Sequence, residues 1–442
     1  MKKISLTTAV TAMSLTLGSM SGFADEAALE ARIAKLEAQL AQLLEQQTQV
    51  ASKHSGVQEE RLDQLVTAND KGMRNPATGS TFTYGGFARL DSIVSDYSGG
   101  TSANNGTGDD FLEASSIPIG GEDEGVKTDM HAKATRFWFK TNTPTDNGGQ
   151  VNTNIELDFV AGEQGNERIS NSYAARLRLA YLEWARDDGS SWLFGQDWST
   201  FVNNPARPAV LDLTGPVGMA FMRQAQIRYT NGPLMLALEN PSTGLYGYGD
   251  IKGGNNFDNN TLPDLIARYN GTAGSLDWSV SGMAREISYR EGEQDDSSYA
   301  GAFSLAGIWN LGADNLRFML NYGALGRYMG LQTYQDGVIT ADGDIKIIDQ
   351  IGGYLAYSHR WDRYWNSMLV LSLSEANNPD ILADSNTPSR YSSVHANLTY
   401  QPTPDLTVGG ELIYAEKQIE GEVNGEDSGE LTRLQFVTRY DF

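Results

Sequence analysis

The chain has 442 residues, no cysteine and a formal charge of −23. That charge argues against a nucleic-acid partner, and no basic cluster contradicts it. Without disulfides, stability must come from packing and hydrogen-bonded closure. No segment offers the roughly 20 consecutive apolar residues that a membrane-spanning helix needs.

Residues 1–24 have the three parts of a secretory signal peptide. Lys2 and Lys3 supply charge, a modest apolar stretch runs through Val10, Met13, Leu15 and Leu17, and Gly22-Phe23-Ala24 offers a small-residue cleavage site. The mature chain is expected to start at Asp25 in an exported compartment. Residues 25–68 are expected to form a periplasmic coiled-coil segment. Leu29, Ile33, Leu36, Leu40, Leu43, Gln47 and Val50 alternate steps of 4 and 3, the spacing of a coiled-coil seam. Arg32 and Glu37 then fall where an interchain charge pair would form, and Gln47 is a polar core position that sets register. The competing reading is one amphipathic helix packing on its own protein. Residues 69–79, with Asp70, Gly72, Asn75, Pro76 and Gly79, read as a linker.

From residue 80 to 442 the pattern changes to period two, so strands replace helix. The first runs over about Phe82 to Val94, with Arg89 and Asp91 on one face. The second sets Phe137 and Phe139 against Arg136, Trp138 and Lys140, and the third opposes Val151, Thr153, Ile155, Leu157 and Phe159 to Asn152, Asn154, Glu156 and Asp158. Thirteen more follow, from 175–186 to 431–442, with short turns such as Asp187-Asp188-Gly189 after one set and long loops after the other. The last carries Leu434, Phe436, Tyr440 and Phe442 against Arg433, Gln435 and Arg439.

A soluble sandwich and a membrane barrel both explain one such strand. Many of them behind an export signal point to an all-β, antiparallel transmembrane barrel of 16 strands, or 18 if one long loop hides a hairpin. An Arg on the lipid face costs roughly 2–4 kcal/mol near the midplane, which turns the arginine face inward. A barrel of that size leaves an aqueous channel. Gly pairs such as Gly85-Gly86 and Gly352-Gly353 are read as relief of strand curvature.

Acidic runs at 109–124, 291–296 and 420–430 are placed in external loops. Solubility is their plainest role. Bridging to lipopolysaccharide through Ca²⁺ or Mg²⁺ is the sharper one, since both ions take hard oxygen ligands. No other cofactor is implied.

The inward phase is rich in arginine: Arg89, Arg136, Arg176, Arg178, Arg228, Arg268, Arg285 and Arg433. Guanidinium stays charged and grips carboxylate or phosphate bidentately. One reading is an anion-preferring pore. The other is a wall network in which these arginines pair with Glu156, Asp158, Glu239 and Glu411. The segment Phe201 to Met219, with Pro205, Pro208 and Pro216 around Val210-Leu211, suggests a loop folded into the channel, where Arg207 would face solute.

The order of these parts resembles the DcaP-like trimeric outer-membrane porins. It is carried locally by Arg136-Phe137-Trp138-Phe139-Lys140-Thr141, Arg176-Leu177-Arg178-Leu179-Ala180-Tyr181 and Gly195-Gln196-Asp197-Trp198-Ser199-Thr200-Phe201. The resemblance spans nearly the whole chain. It implies a homotrimer in the bacterial outer membrane, against lipid and lipopolysaccharide, with one pore per subunit for dicarboxylates and similar small anions. Arg136, Arg176 and Arg178 match by motif, while Trp138 stands where a smaller residue is expected. An enzyme is disfavoured because none of His54, His131, His359 and His395 lies beside a nucleophile motif. Two alternatives stay open, a phosphate-type anion porin and a structural tether gripping the cell wall through the coiled coil.

Overall fold

The computed structural model describes residues 72–442, apart from 76, 103–105, 162–164, 166–168, 249–252, 258 and 332–333. The expected signal peptide and coiled-coil segment lie outside the described residues, as do 69–71 and 76 of the linker, whose Met73 and Arg74 pair with Phe82 and Thr81. Among the described residues sixteen staves form one closed antiparallel barrel.

In chain order they are β1 (Thr81–Tyr97), β2 (Lys127–His131 and, after a break, Arg136–Pro144), β3 (Gln150–Asp158) and β4 (Arg176–Ala185). Next come β5 (Ser190–Trp198), β6 (Arg223–Asn231), β7 (Leu234–Glu239) and β8 (Asp264–Ala273). Then follow β9 (Leu276–Glu291), β10 (Gln294–Leu311), β11 (Asp314–Gly323) and β12 (Gln350–Arg360). The last four are β13 (Trp365–Ala376), β14 (Pro388–Thr403), β15 (Leu406–Val423) and β16 (Glu426–Asp441). Each pairs with the next, and β16 returns to β1 with Arg439 opposite Arg89. No strand edge along the main wall is left to recruit another chain.

The alternation read from sequence sets the register. On β16, Phe436 and Tyr440 are 52% and 53% exposed, while Arg433 and Gln435 on the opposite face are buried. Leucines cover the outside elsewhere, among them Leu236, Leu238, Leu265, Leu369, Leu371 and Leu412. Trp184, Trp309, Trp361, Trp365 and Tyr440 gather toward the rim of short turns, as an interfacial girdle does.

The lumen is far from open. Three long connections, 98–126, 199–222 and 324–349, contribute buried apolar side chains to a core enclosed by the barrel. Phe201, Val202, Met219, Leu112, Ile117, Leu325 and Tyr328 pack there with Ile266, Met319, Tyr354, Met368 and Ile413 of the staves. Each fully buried side chain of this size favours the packed state by about 1.5–3 kcal/mol. A separate small sheet joins Thr243–Tyr246 to Gly254–Phe257 and, in parallel, to Gly337–Ile339, which pairs with Ile345–Ile347.

Several sequence expectations need correction. The acidic runs at 291–296 and 420–430 are not loops. They sit on two tall hairpins, with Arg290 opposite Asp295 on one and Glu416 opposite Glu430 on the other. Acidic side chains on both strands disguised them, yet ladder hydrogen bonds and solvent on the outer face accommodate those charges. The expected strand 316–328 stops at Gly323, and the chain turns inward through a 3₁₀ turn at Gly326–Met329. The glycine pairs also make room for their neighbours. A Cβ at Gly85 would lie 2.8 Å from the Trp138 indole nitrogen, and one at Gly218 of the inward loop 2.7 Å from the Gly353 amide nitrogen.

Candidate functional site

The connection 199–222 runs through the lumen along one wall, tied down at nearly every step. Glu239 accepts from the Thr200 amide at 2.6 Å, Asn203 donates to Ser279 at 2.8 Å, and Arg268 donates to Val202 O at 2.7 Å. Tyr354 then donates to Ala206 O at 2.8 Å and Asn397 to Ala209 O at 3.1 Å. At the tip, Glu411 accepts from the Leu211 amide at 2.6 Å and Arg89 donates to Leu211 O. Asp212 accepts from the Leu112 amide at 2.7 Å, which joins this loop to the first long connection. On the return, Asn321 donates to Gly218 O at 3.0 Å. With Thr200 donating to Gln226 and the Ala209 amide to Met368, its partners come from β6 to β9, from β11 to β15, and from β1. The wall of β2 to β5 remains for solute.

That wall carries the arginines. Asp158 of β3, buried at its base, takes Arg176 and Arg178 of β4, each at 2.9 Å. Glu156 takes Arg178 at 2.6 Å and Arg136 of β2 at 3.5 Å. Two further guanidinia join from the loop side. Arg207 lies 4.6 Å from the Trp198 ring centroid and 4.8 Å from that of Phe221, and Arg223 lies 4.9 Å from Trp198. Arg136, Arg176, Arg178 and Asp158 are all within electrostatic reach of Arg223.

Five guanidinia thus surround two carboxylates, a surplus of three positive charges. Hydrogen bonding is just as unbalanced: Arg136 Nε, Arg207 Nε and Arg223 Nη1 are buried donors without an acceptor among the described residues. An unmet buried donor costs about 1–3 kcal/mol, so an acceptor arriving from outside is favoured. Asp212, the one acid on the loop itself, is spent on the Leu112, Thr214 and Gly215 amides.

The other expected arginines are dispersed. Arg89 pairs with Asp91 at 2.6 Å, and Arg228 with Asp197 at 2.9 Å. Arg268 holds the loop backbone. Arg285 is sealed between Asp264 and Asp336, with none of its side chain exposed. Arg433 is spent on Ser95, Tyr97 and Gly108. Glu239 and Glu411, expected as arginine partners, hold loop amides instead.

Sequence reading missed Arg223 and Arg317. Arg317 shares the inward phase of Met319 and Asn321, so alternation could have found it. Arg223 stands at the very start of its strand, where alternation gives no warning.

Asp110, Asp129 and His131 bring three ligand atoms within 4.8 Å of one another. Asp110 already takes the Lys133 ammonium at 2.6 Å, so the group reads as an ion-pair cluster.

The family model described as DcaP outer membrane protein matches residues 13–442. No curated protein matches the chain. The crystal structure of the outer membrane channel DcaP of Acinetobacter baumannii superposes with a TM-score of 0.68 at 21% identity, covering 84% of this chain and 100% of that one. OmpT of Vibrio cholerae in its trimer form gives 0.50 at 11% identity over 82% and 99%. Salmonella typhi OmpF in complex with daunomycin gives 0.50 at 11% identity over 83% and 99%. Such low identities carry the porin fold alone, whereas the family model spans almost the entire sequence. The chain belongs to the DcaP outer membrane protein family.

Proposed function

We propose that this channel passes small anionic solutes, dicarboxylates foremost, across the outer membrane. The observation that carries the reading is the surplus of three positive charges between loop and wall, together with three unspent donors. Low-dielectric walls focus such a field and enrich anions despite the negative charge of the whole chain. A guanidinium grips a carboxylate through two parallel hydrogen bonds, and a dicarboxylate can engage wall and loop arginines together. Phosphate would meet the same donors with one centre instead of two, so it binds fewer of them at once.

A homotrimer belongs to the same proposal, supported by the trimer form of OmpT and, separately, by the heptad spacing of residues 25–68. Swelling of liposomes containing the protein tests the solute class. Succinate should enter faster than a neutral solute or an organic cation of similar size, and phthalate should compete with it. Equal rates for all three would exclude the proposal.

A further inference from the structure

Beneath the tip of the inward loop, toward the short turns, the lumen holds a second cavity of about 550 Å³. That volume lies within the range of small-molecule sites, about 300–1,000 Å³. Arg89 and Arg439 border one end, and Arg360 and Arg363 the other, with Asn366 and Gln401 between. The four do not lie at one point. β12 and β16 are four strand spacings apart, about 19 Å of wall. The cavity is therefore a trough with arginines at both ends.

Those ends differ in their chemistry. Arg89 is neutralised by Asp91, and Arg439 by Asp441, each an aspartate two residues on along the same face. Arg439 also stacks 3.9 Å from the Phe87 ring centroid. At the other end, Arg360 gives only its Nε to a backbone oxygen, Asp362 O at 3.2 Å. Arg363 lies 4.4 Å from the Tyr364 ring centroid and has no ion pair among the described residues. The nearby Asp362 carboxylate is turned to the amides of Tyr364 and Trp365, at 2.7 and 2.8 Å. Those two amides hold it below the usual carboxylate range, so it stays charged and offsets one of the two guanidinia. The Asp314 carboxylate, which accepts from the Arg360 amide at 3.0 Å, offsets the other, so the turn is close to neutral while it keeps most of its arginine donors.

We infer that this trough is a second, weaker anion station, at which Arg360 and Arg363 take a carboxylate leaving the arginine cluster above. The inference rests on the anion reading and adds a route of release to it. A cluster with three surplus charges binds a dianion well and would hold it. Conduction needs sites weak or numerous enough for the solute to leave. Exposed guanidinium donors whose charge is offset by neighbouring aspartates are suited to that step.

The experiment is succinate block of the potassium chloride current through oriented channels, with succinate added to one side at a time. In R360Q/R363Q, half-block from the turn side should need about fivefold more succinate, the size expected for losing two solvent-screened charge contacts. Half-block from the opposite side should not move. R290Q, on an external hairpin, serves as the control and should match the unaltered protein from both sides. A compact, heat-modifiable band on gels together with a measurable chloride current would show that R360Q/R363Q is folded and open. Identical half-block in R360Q/R363Q and the unaltered protein overturns the station while leaving the arginine cluster standing. No block from either side in the unaltered protein overturns both.

Discussion

Arg178 and Arg223 stand in the same cluster yet should answer mutation differently. Arg178 is nearly buried and shared between Glu156 and Asp158, so Arg178→Gln strips a buried carboxylate of one partner. Breaking such a pair costs about 3–5 kcal/mol. Arg178→Gln should lower both the anion preference and the unfolding temperature in detergent. Arg223 has no carboxylate partner among the described residues to orphan, so Arg223→Gln should lower anion preference and leave unfolding unchanged. If both variants unfold alike, the division between paired and unspent guanidinia is wrong. Arg285→Met makes the opposite case, because it leaves Asp264 and Asp336 buried beside each other. It should destabilise strongly while folded channels keep their selectivity. Alternation in the sequence placed Arg178 and Arg285 inward and missed Arg223. It could not tell a wet lumen wall from one covered by a loop, because that depends on where distant segments pack.

At the scale of elements, the inward connection is the part the sequence hinted at and could not complete. Its prolines marked an irregular segment, but its anchors lie as far away as Glu411, which meets Leu211 across 200 residues. Glu411→Ala would free the loop tip and leave two buried amides unpaired. Single-channel conductance should rise and become noisier, and an unchanged conductance would argue against an anchored tip. Gly218→Ala should act similarly from the other end, since its φ of +72° and the nearby Gly353 amide both exclude a side chain. The two tall hairpins were misread for a related reason. Acidic composition suggested loop, whereas cross-strand pairing decided strand, and pairing is a property of two segments at once.

For the molecule as a whole, strand number and the lipid-facing register were legible because each rests on period two, which every stave repeats. Closure depends on the last residues. Phe442 exchanges backbone hydrogen bonds with Gly86, at 3.2 and 3.0 Å, and its ring lies 6.0 Å from that of Phe137. Deleting Phe442 should reduce the fraction of chain that runs as a compact, heat-modifiable barrel on gels. Full recovery of the compact form would show that β16 closes the wall without it. The filled lumen was not legible, since loops seldom display the alternation that reveals their partners.

Reversal potential in a planar bilayer under a roughly tenfold potassium chloride gradient tests the electrostatic account most directly. The wall and loop arginines predict a potential on the chloride side of zero, shrinking as salt rises and the field is screened. It should collapse in a protein lacking Arg136, Arg178 and Arg223. A potential on the potassium side in the unaltered protein would contradict the account.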